Sequence, residues 1–337
     1  ELLKSLGSLA ITTYQANRLI LARNEEGVLN THFRSFAKPM GLAIDQGRMA
    51  LGTGYEVWEL YNNPEVAAKL APPGKHDGCW LPRSRHITGD IDIHEMAFDA
   101  NQELWLVNTR FSCLCTLRSD CSFVPQWRPN FVSELTPEDR CHLNGLAMRD
   151  GRPRYVTTLG QADTEQGWRE NKARGGTLID VESNEMILQG LSMPHSPRWY
   201  QDRLWLLESG DGSLGIVDLD RGRYEKLIEL PGFTRGLCFA GSLAFVGLSQ
   251  VRESAIFSGI PIAEREEERV CGAYVVDLQS LKVIAFLQFT DAVQEIFAVE
   301  LLRGQHFPDV VDDDEILSAS YVVPQQSLSE VPRELRH

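Results

Sequence analysis

Six residues far apart in the chain stand at one repeated position: Met40, His94, Asn144, His195, Arg235 and Glu295. Each immediately precedes the residue that opens a short apolar run, as in "HEMAF" from His94 and "HSPRW" from His195. Two imidazoles, a carboxylate and an amide oxygen form a ligand set for a divalent metal, and imidazole favours zinc, iron or manganese over calcium. His94, Asn144, His195 and Glu295 are therefore the expected metal ligands. Arg235 would repel a metal at contact distance. Its planar fork suits a substrate carboxylate or phosphate. Metal-free chemistry fits the same residues: one histidine as general base, Glu295 orienting it and Arg235 stabilising negative charge. His94, His195, Glu295 and Arg235 are thus the expected catalytic residues.

Such residues act together only if the fold brings them together. The segments that contain them, such as "IHEMAFDANQELWLVN" and "PHSPRWYQDRLWLLES", share one plan. A short apolar run is followed, in the first five copies, by a turn rich in Gly, Asp, Asn or Gln and a second apolar run. Further strands follow in several copies, as in "SLGIVDLDRGRYEKLIELP". Short strands joined by tight turns and recurring every few tens of residues are the mark of a β-propeller. The N-terminal stretch "SLAITTYQANRLILARNEEGVLNTHFRSF" reads as three strands lacking a first. The last copy, "QEIFAVELLRG", reads as a first strand lacking the rest. Joined, they complete a sixth blade and leave no free sheet edge. The expected fold is all-β, one six-bladed β-propeller domain over residues 1–337, its ring closed by strands from both termini. The six repeated residues then converge on the upper mouth of the central channel.

A second layer is expected from the ends of the second strands, on the same face. Asn108, His142 and Glu208 are its main candidates for binding substrate, with Arg110, Thr13, Tyr14 and Thr53 nearby. His142 lies two residues before Asn144 and, by strand alternation, shares its side. Two long insertions, 160–176 and 249–270, fall between second and third strands. Loops of this length in a compact fold are functional lids or disordered segments; as lids, Trp168 and Phe257 would supply apolar cover. The "TPEDR" segment predicts a short helical turn with Thr136 as N-cap. "VVDDDE" at 310–315 lacks EF-hand spacing and reads as a surface loop.

The net charge of −14 argues against a nucleic-acid partner. No polybasic cluster points to an anionic membrane surface, and no apolar run is long enough to span a bilayer. No signal-peptide pattern is visible, and the chain opens on Glu1 rather than Met, as a trimmed chain would. The expected compartment is the cytoplasm. Cys113, Cys115 and Cys121 have spacing unlike a zinc knuckle and read as reduced, partly buried thiols in a hairpin.

The "NTRFSCL", "CHLNGLA" and "PHSPRW" stretches resemble a bacterial family of conserved hypothetical six-bladed propellers. That resemblance runs over nearly the whole chain and implies the fold without an assigned reaction. More distantly, the chain is similar to the gluconolactonase and senescence-marker propellers, which hold a metal with Glu, Asn and Asp from inner strands. Glu295 and Asn144 match two of these. A histidine replaces the third carboxylate, which sets the chain apart from calcium-dependent lactonases. Two functions follow: a small-molecule or peptide-modifying enzyme, metal-assisted at the upper mouth, or a non-catalytic propeller that binds a ligand or protein with the same face around a structural polar plug.

Overall fold

In the computed structural model, described for residues 1–250, 259–265 and 268–333, the strands form six antiparallel blades around a channel. Blade 1 comprises Leu42–Asp45, Arg48–Gly52, Glu56–Asn62 and Gly78–Ile87, innermost strand first. Blade 2 is Ile93–Phe98, Leu104–Asn108, Cys113–Arg118 and Cys121–Trp127; blade 3 is Leu143–Arg149, Arg152–Thr158, Gly176–Asp180 and Met186–Leu191. Blade 4 runs from Pro194–Tyr200 to Arg223–Glu229, and blade 5 from Phe233–Ala240 to Lys282–Phe289. Blade 6 is sewn from both ends of the chain: Ala298–Arg303 pairs with Gly7–Thr13, which continues to Arg18–Glu25 and Val28–Ser35.

The apolar runs of the sequence are explained by burial on both faces of each blade. Neighbouring residues of one strand point to different blade junctions. Leu204 and Leu206 pack toward blade 3, while Trp205 and Leu207 pack toward blade 5. The junction that closes the ring joins Leu9 and Ile11 of blade 6 to Phe245 and Ala273 of blade 5. Stability therefore lies between the blades, and the ends of the channel are left to the loops.

Several local expectations are corrected. Residues 136–140 form bends instead of a helical turn, and Asp139 is left-handed at φ 50°. The 310–315 stretch is not a plain surface loop. Pro308–Val310 adds a parallel strand to the outer edge of blade 1, and the Asp313 carboxylate accepts from Glu315 N and Ile316 N to cap the helix Asp314–Ala319. Cys113 and Cys115 are buried within the expected hairpin of blade 2. Both insertions leave their blades between the second and third strands. They meet where Trp168, from one, and Ile260 and Ile262, from the other, pack with Leu159, Met193 and Phe233. Phe257 lies outside the described residues. Among the described residues no helix is long and apolar enough to cross a membrane.

Candidate functional site

A cavity of about 530 Å³ opens where the innermost strands begin, at the upper mouth of the channel. His94, His195, Arg235 and Glu295 line it, with Met40 from the same repeated position. Backbone irregularity aims these side chains. The innermost strands of blades 2 to 5 each carry a register shift at this level: Ile93/Met96, Leu143/Gly145, His195/Arg198 and Thr234/Leu237. A bulge turns a side chain out of the regular pleat, here toward the axis. A second ring comes from residues two positions earlier. Lys38, Asp92, His142 and Met193 all have positive φ, between 46° and 53°, and all line the cavity.

The left-handed turn explains why His142 and Asn144 part company. Alternation predicts a shared side, but His142 stands before the strand with φ 50° and points into the cavity. Asn144 lies beneath it. The Asn144 amide donates to the Pro194 carbonyl at 2.9 Å, and its oxygen accepts from the Thr157 hydroxyl at 2.7 Å. As placed, Asn144 reaches neither the cavity nor the other expected metal ligands. Of the four expected substrate contacts, His142 and Trp168 line the cavity, and Asn108 and Glu208 do not. The Asn108 oxygen accepts from Phe111 N at 3.0 Å, and a Glu208 oxygen accepts from Ser192 N at 2.9 Å, so both brace turns. Burial raises the Glu208 carboxyl above its ordinary range. Tyr14 and Arg110 line the cavity, while Thr13 and Thr53 bond within their own turns.

The three histidines of the cavity are held by their Nδ1 atoms. His94 Nδ1 lies 2.9 Å from both the Asp92 carbonyl and the Thr109 hydroxyl. A carbonyl only accepts, so the Nδ1 atom of His94 carries the proton. The Thr109 hydroxyl donates to the Leu143 carbonyl at 2.6 Å, which leaves its oxygen to accept from His94. His195 repeats the device with the Met193 carbonyl and the Ser209 hydroxyl, each at 2.9 Å. Burial drives both imidazoles well below the ordinary histidine range, and the Arg235 cation pushes His195 further the same way. Both are neutral at neutral pH, with a lone pair on Nε2. His142 Nδ1 is held by the Asp139 carboxylate at 2.9 Å, and Trp168 Nε1 donates to the same carboxylate at 2.9 Å. The His142 and Trp168 rings lie 4.5 Å apart, so the insertion that provides Trp168 also roofs the imidazole. His94 Nε2 and His142 Nε2 face each other at 3.1 Å.

The charged groups differ in how far they are satisfied. Lys38 pairs with Asp92 at 2.8 Å, and Arg110 with Asp90 at 2.6 Å. Burial alone would raise the Asp92 carboxyl, but neighbouring positive charge holds it well below its usual range. With His94 neutral, Lys38 is the partner that counts at neutral pH. Tyr14 donates to the Glu295 carboxylate, which burial raises. Arg235 lies with its guanidinium carbon 3.5 Å from the centre of the Phe297 ring, and among the described residues no carboxylate oxygen comes within 4.0 Å of it. Burial lowers this group to about 9, so it is still cationic at neutral pH. Among the described residues no three His, Cys, Asp or Glu side chains are close enough to hold a metal by themselves.

Sequence reading missed Lys38, Asp92, Asp139, Met193 and Phe297. The spacing signal for Lys38, Asp92 and Met193 was present, two residues before Met40, His94 and His195. Asp139 was hidden by its assignment to a helical turn.

A sequence-family model of a domain of unknown function (DUF4915) matches residues 1–311. The chain belongs to that family. No curated protein matches it in sequence. Solved structures share the fold. The crystal structure of a nidogen/laminin complex has a TM-score of 0.55 at 9% identity, covering 87% of this chain and 97% of that chain. A Bacteroides caccae protein of unknown function has 0.51 at 8% identity, with the same coverage of 87% and 97%. Virginiamycin B lyase from Staphylococcus aureus has 0.43 at 12% identity, covering 72% of this chain and 74% of that one. At such identities the likeness to the first two is one of architecture alone, and the third, below 0.5, adds nothing to it. The family match agrees with the resemblance to an uncharacterised propeller family, and none of the structures named is a gluconolactonase.

Proposed function

We propose that this protein is an enzyme acting on a small molecule or a peptide end in the upper cavity, with a divalent metal of the zinc class held between His94 and His142. The observation that carries this reading is the 3.1 Å approach of their Nε2 atoms. His94 presents a lone pair there, because its Nδ1 proton is directed to a carbonyl. His142 presents another, because its Nδ1 faces a carboxylate. Two lone pairs at this distance repel unless a positive species lies between them. Imidazoles whose second nitrogen is fixed by a carbonyl or carboxylate are in the orientation that metal ligation uses. His195 and Glu295 line the same cavity, and the remaining positions fall to water and substrate, as a catalytic metal requires. Such a metal, when bound, polarises a substrate oxygen or activates water. The room in the cavity, about 530 Å³, argues against a sealed polar plug.

A second reading keeps the residues and replaces the metal by a shared proton. The contact of His142 Nδ1 with Asp139 favours it, since a carboxylate there stabilises an imidazolium. Asp139, His142 and His94 would then form a proton relay for general acid–base catalysis. Metal analysis of the full chain made without a histidine tag separates the two. The expected result is about one zinc-class ion per chain, lost in His94→Ala and His142→Ala while circular dichroism stays that of the wild type, because the core lies between the blades. Wild-type protein that stays metal-free after incubation with zinc removes the metal and leaves the relay.

A further inference from the structure

Arg235 is the polar group of the cavity with the least compensation. Every other buried or half-buried arginine near the channel has acceptors. Arg198 lies 2.8 Å from Glu95, and Arg140 has Glu134, Glu138 and Asp163 between 2.7 and 3.1 Å. Arg110 is paired on the rim. The guanidinium of Arg235 has the Phe297 ring on one face and opens to the cavity, without a hydrogen bond or ion pair among the described residues. A guanidinium covered on its face keeps its N–H groups along its edges, in one plane. That is the geometry which grips a carboxylate with two parallel hydrogen bonds.

We infer that the upper cavity holds a subsite for an organic carboxylate with an apolar body, its carboxylate seated on Arg235. This deepens the enzyme reading and rests on it for the choice of cavity. The apolar body would lie against Met40, Leu159, Met193, Phe233 and Phe297, which share the cavity with Arg235. Charge selects the class as well. Lys38 and Arg110 pair with Asp92 and Asp90, Asp139 faces His142, and Glu295 accepts from Tyr14, so among the described residues of the cavity the half-buried Arg235 is a guanidinium whose edges carry no ion pair. Arg169 also borders the cavity, but it is exposed on the insertion over Trp168 and stays hydrated. Inorganic phosphate, with more charge and no apolar body, fits less well.

The test is calorimetric titration of the full chain, stripped with EDTA and then loaded with zinc, using benzoate, benzamide and inorganic phosphate. Benzoate is expected to bind the stripped protein, with benzamide and phosphate at least about tenfold weaker, because each loses the paired charge-assisted bonds or the apolar contact. Arg235→Met should weaken benzoate about tenfold or more, and Arg235→Lys by an intermediate amount, as a point charge lacks the fork. Circular dichroism and the melting temperature report whether the variants fold. If they do not, the benzoate–benzamide comparison on the wild type decides. Equal binding of benzoate and benzamide, tighter binding of phosphate, no benzoate binding at millimolar concentration, or a folded Arg235→Met that binds benzoate as the wild type does would each overturn the subsite. Benzoate binding that needs zinc and ignores Arg235 places the anion on the metal, so the subsite fails and the metal reading stands. Binding that depends on Arg235 in a protein that takes up no metal does the reverse.

Discussion

The two mouths of the channel make an instructive pair. The lower cavity, about 450 Å³, is lined by Arg198, Trp199, Tyr200, Cys238, Phe239 and Glu300, where the innermost strands end. It is close in volume to the upper one at about 530 Å³. What differs is how the buried charges are satisfied. Below, Arg198 lies 2.8 Å from Glu95 and 3.7 Å from Glu300, so this guanidinium has carboxylate partners inside the protein. Above, Arg235 has no such partner among the described residues, and two imidazole lone pairs face each other. Removing a cation from water without a carboxylate partner, even in part, costs stability, and folding alone does not account for retaining one. Concavity is common to both ends; a guanidinium without an ion pair and facing imidazole lone pairs are found, among the described residues, at the upper one, and that end is the candidate site.

The sharpest way to break this contrast is to remove a partner below. Arg198→Met leaves Glu95 buried without its cation and should cost about 3 kcal/mol, read from the urea midpoint. A loss under about 1 kcal/mol would mean that the lower charges are not a structural pair. Next in size is Asp139→Asn. It leaves the His142 ring in place but replaces the carboxylate with an amide, and should lower zinc affinity about tenfold or more in a competition titration. Unchanged affinity would separate Asp139 from the His94–His142 pair.

The pH dependence of the lower mouth gives a smaller signal. Burial pushes the Glu300 carboxyl up from 4.5 to about 7, against the attraction of Arg198. The fold then holds a proton that the unfolded chain has released. Stability from this group is present at low pH and lost as pH rises from about 4.5 to about 7. Partial exposure of Glu300 to the lower cavity softens the slope. Urea midpoints across that window should fall with pH in the wild type more than in Glu300→Gln. Parallel curves would remove Glu300 as the source. The smallest effect belongs above: Arg235→Met should change stability by less than about 1 kcal/mol, since the lost cation–π contact is offset by the burial cost removed. A loss as large as that of Arg198→Met would make Arg235 structural and erase the contrast between the mouths.

The six repeats, the closure of the ring by both termini and the arrival of His94, His195, Arg235 and Glu295 at one cavity were legible in the sequence. They follow from periodic burial and from one recurring position, which are properties of the chain itself. The apolar runs have no alternative home once both faces of each blade are buried. Which side chains meet in the cavity was decided elsewhere. Strand alternation put His142 beside Asn144, but a left-handed residue at 142 and a bulge at Leu143/Gly145 send one into the cavity and the other onto Thr157 and Pro194. Asp139 reached His142 only because residues 136–140 bend instead of winding into a helical turn. Trp168 meets both through an insertion whose path is set by packing with Ile260 and Ile262 from another blade. Backbone conformations at single residues and contacts between loops of different blades depend on the assembled ring. Pattern and periodicity carry no record of them, so the tertiary structure alone settled the composition of the site.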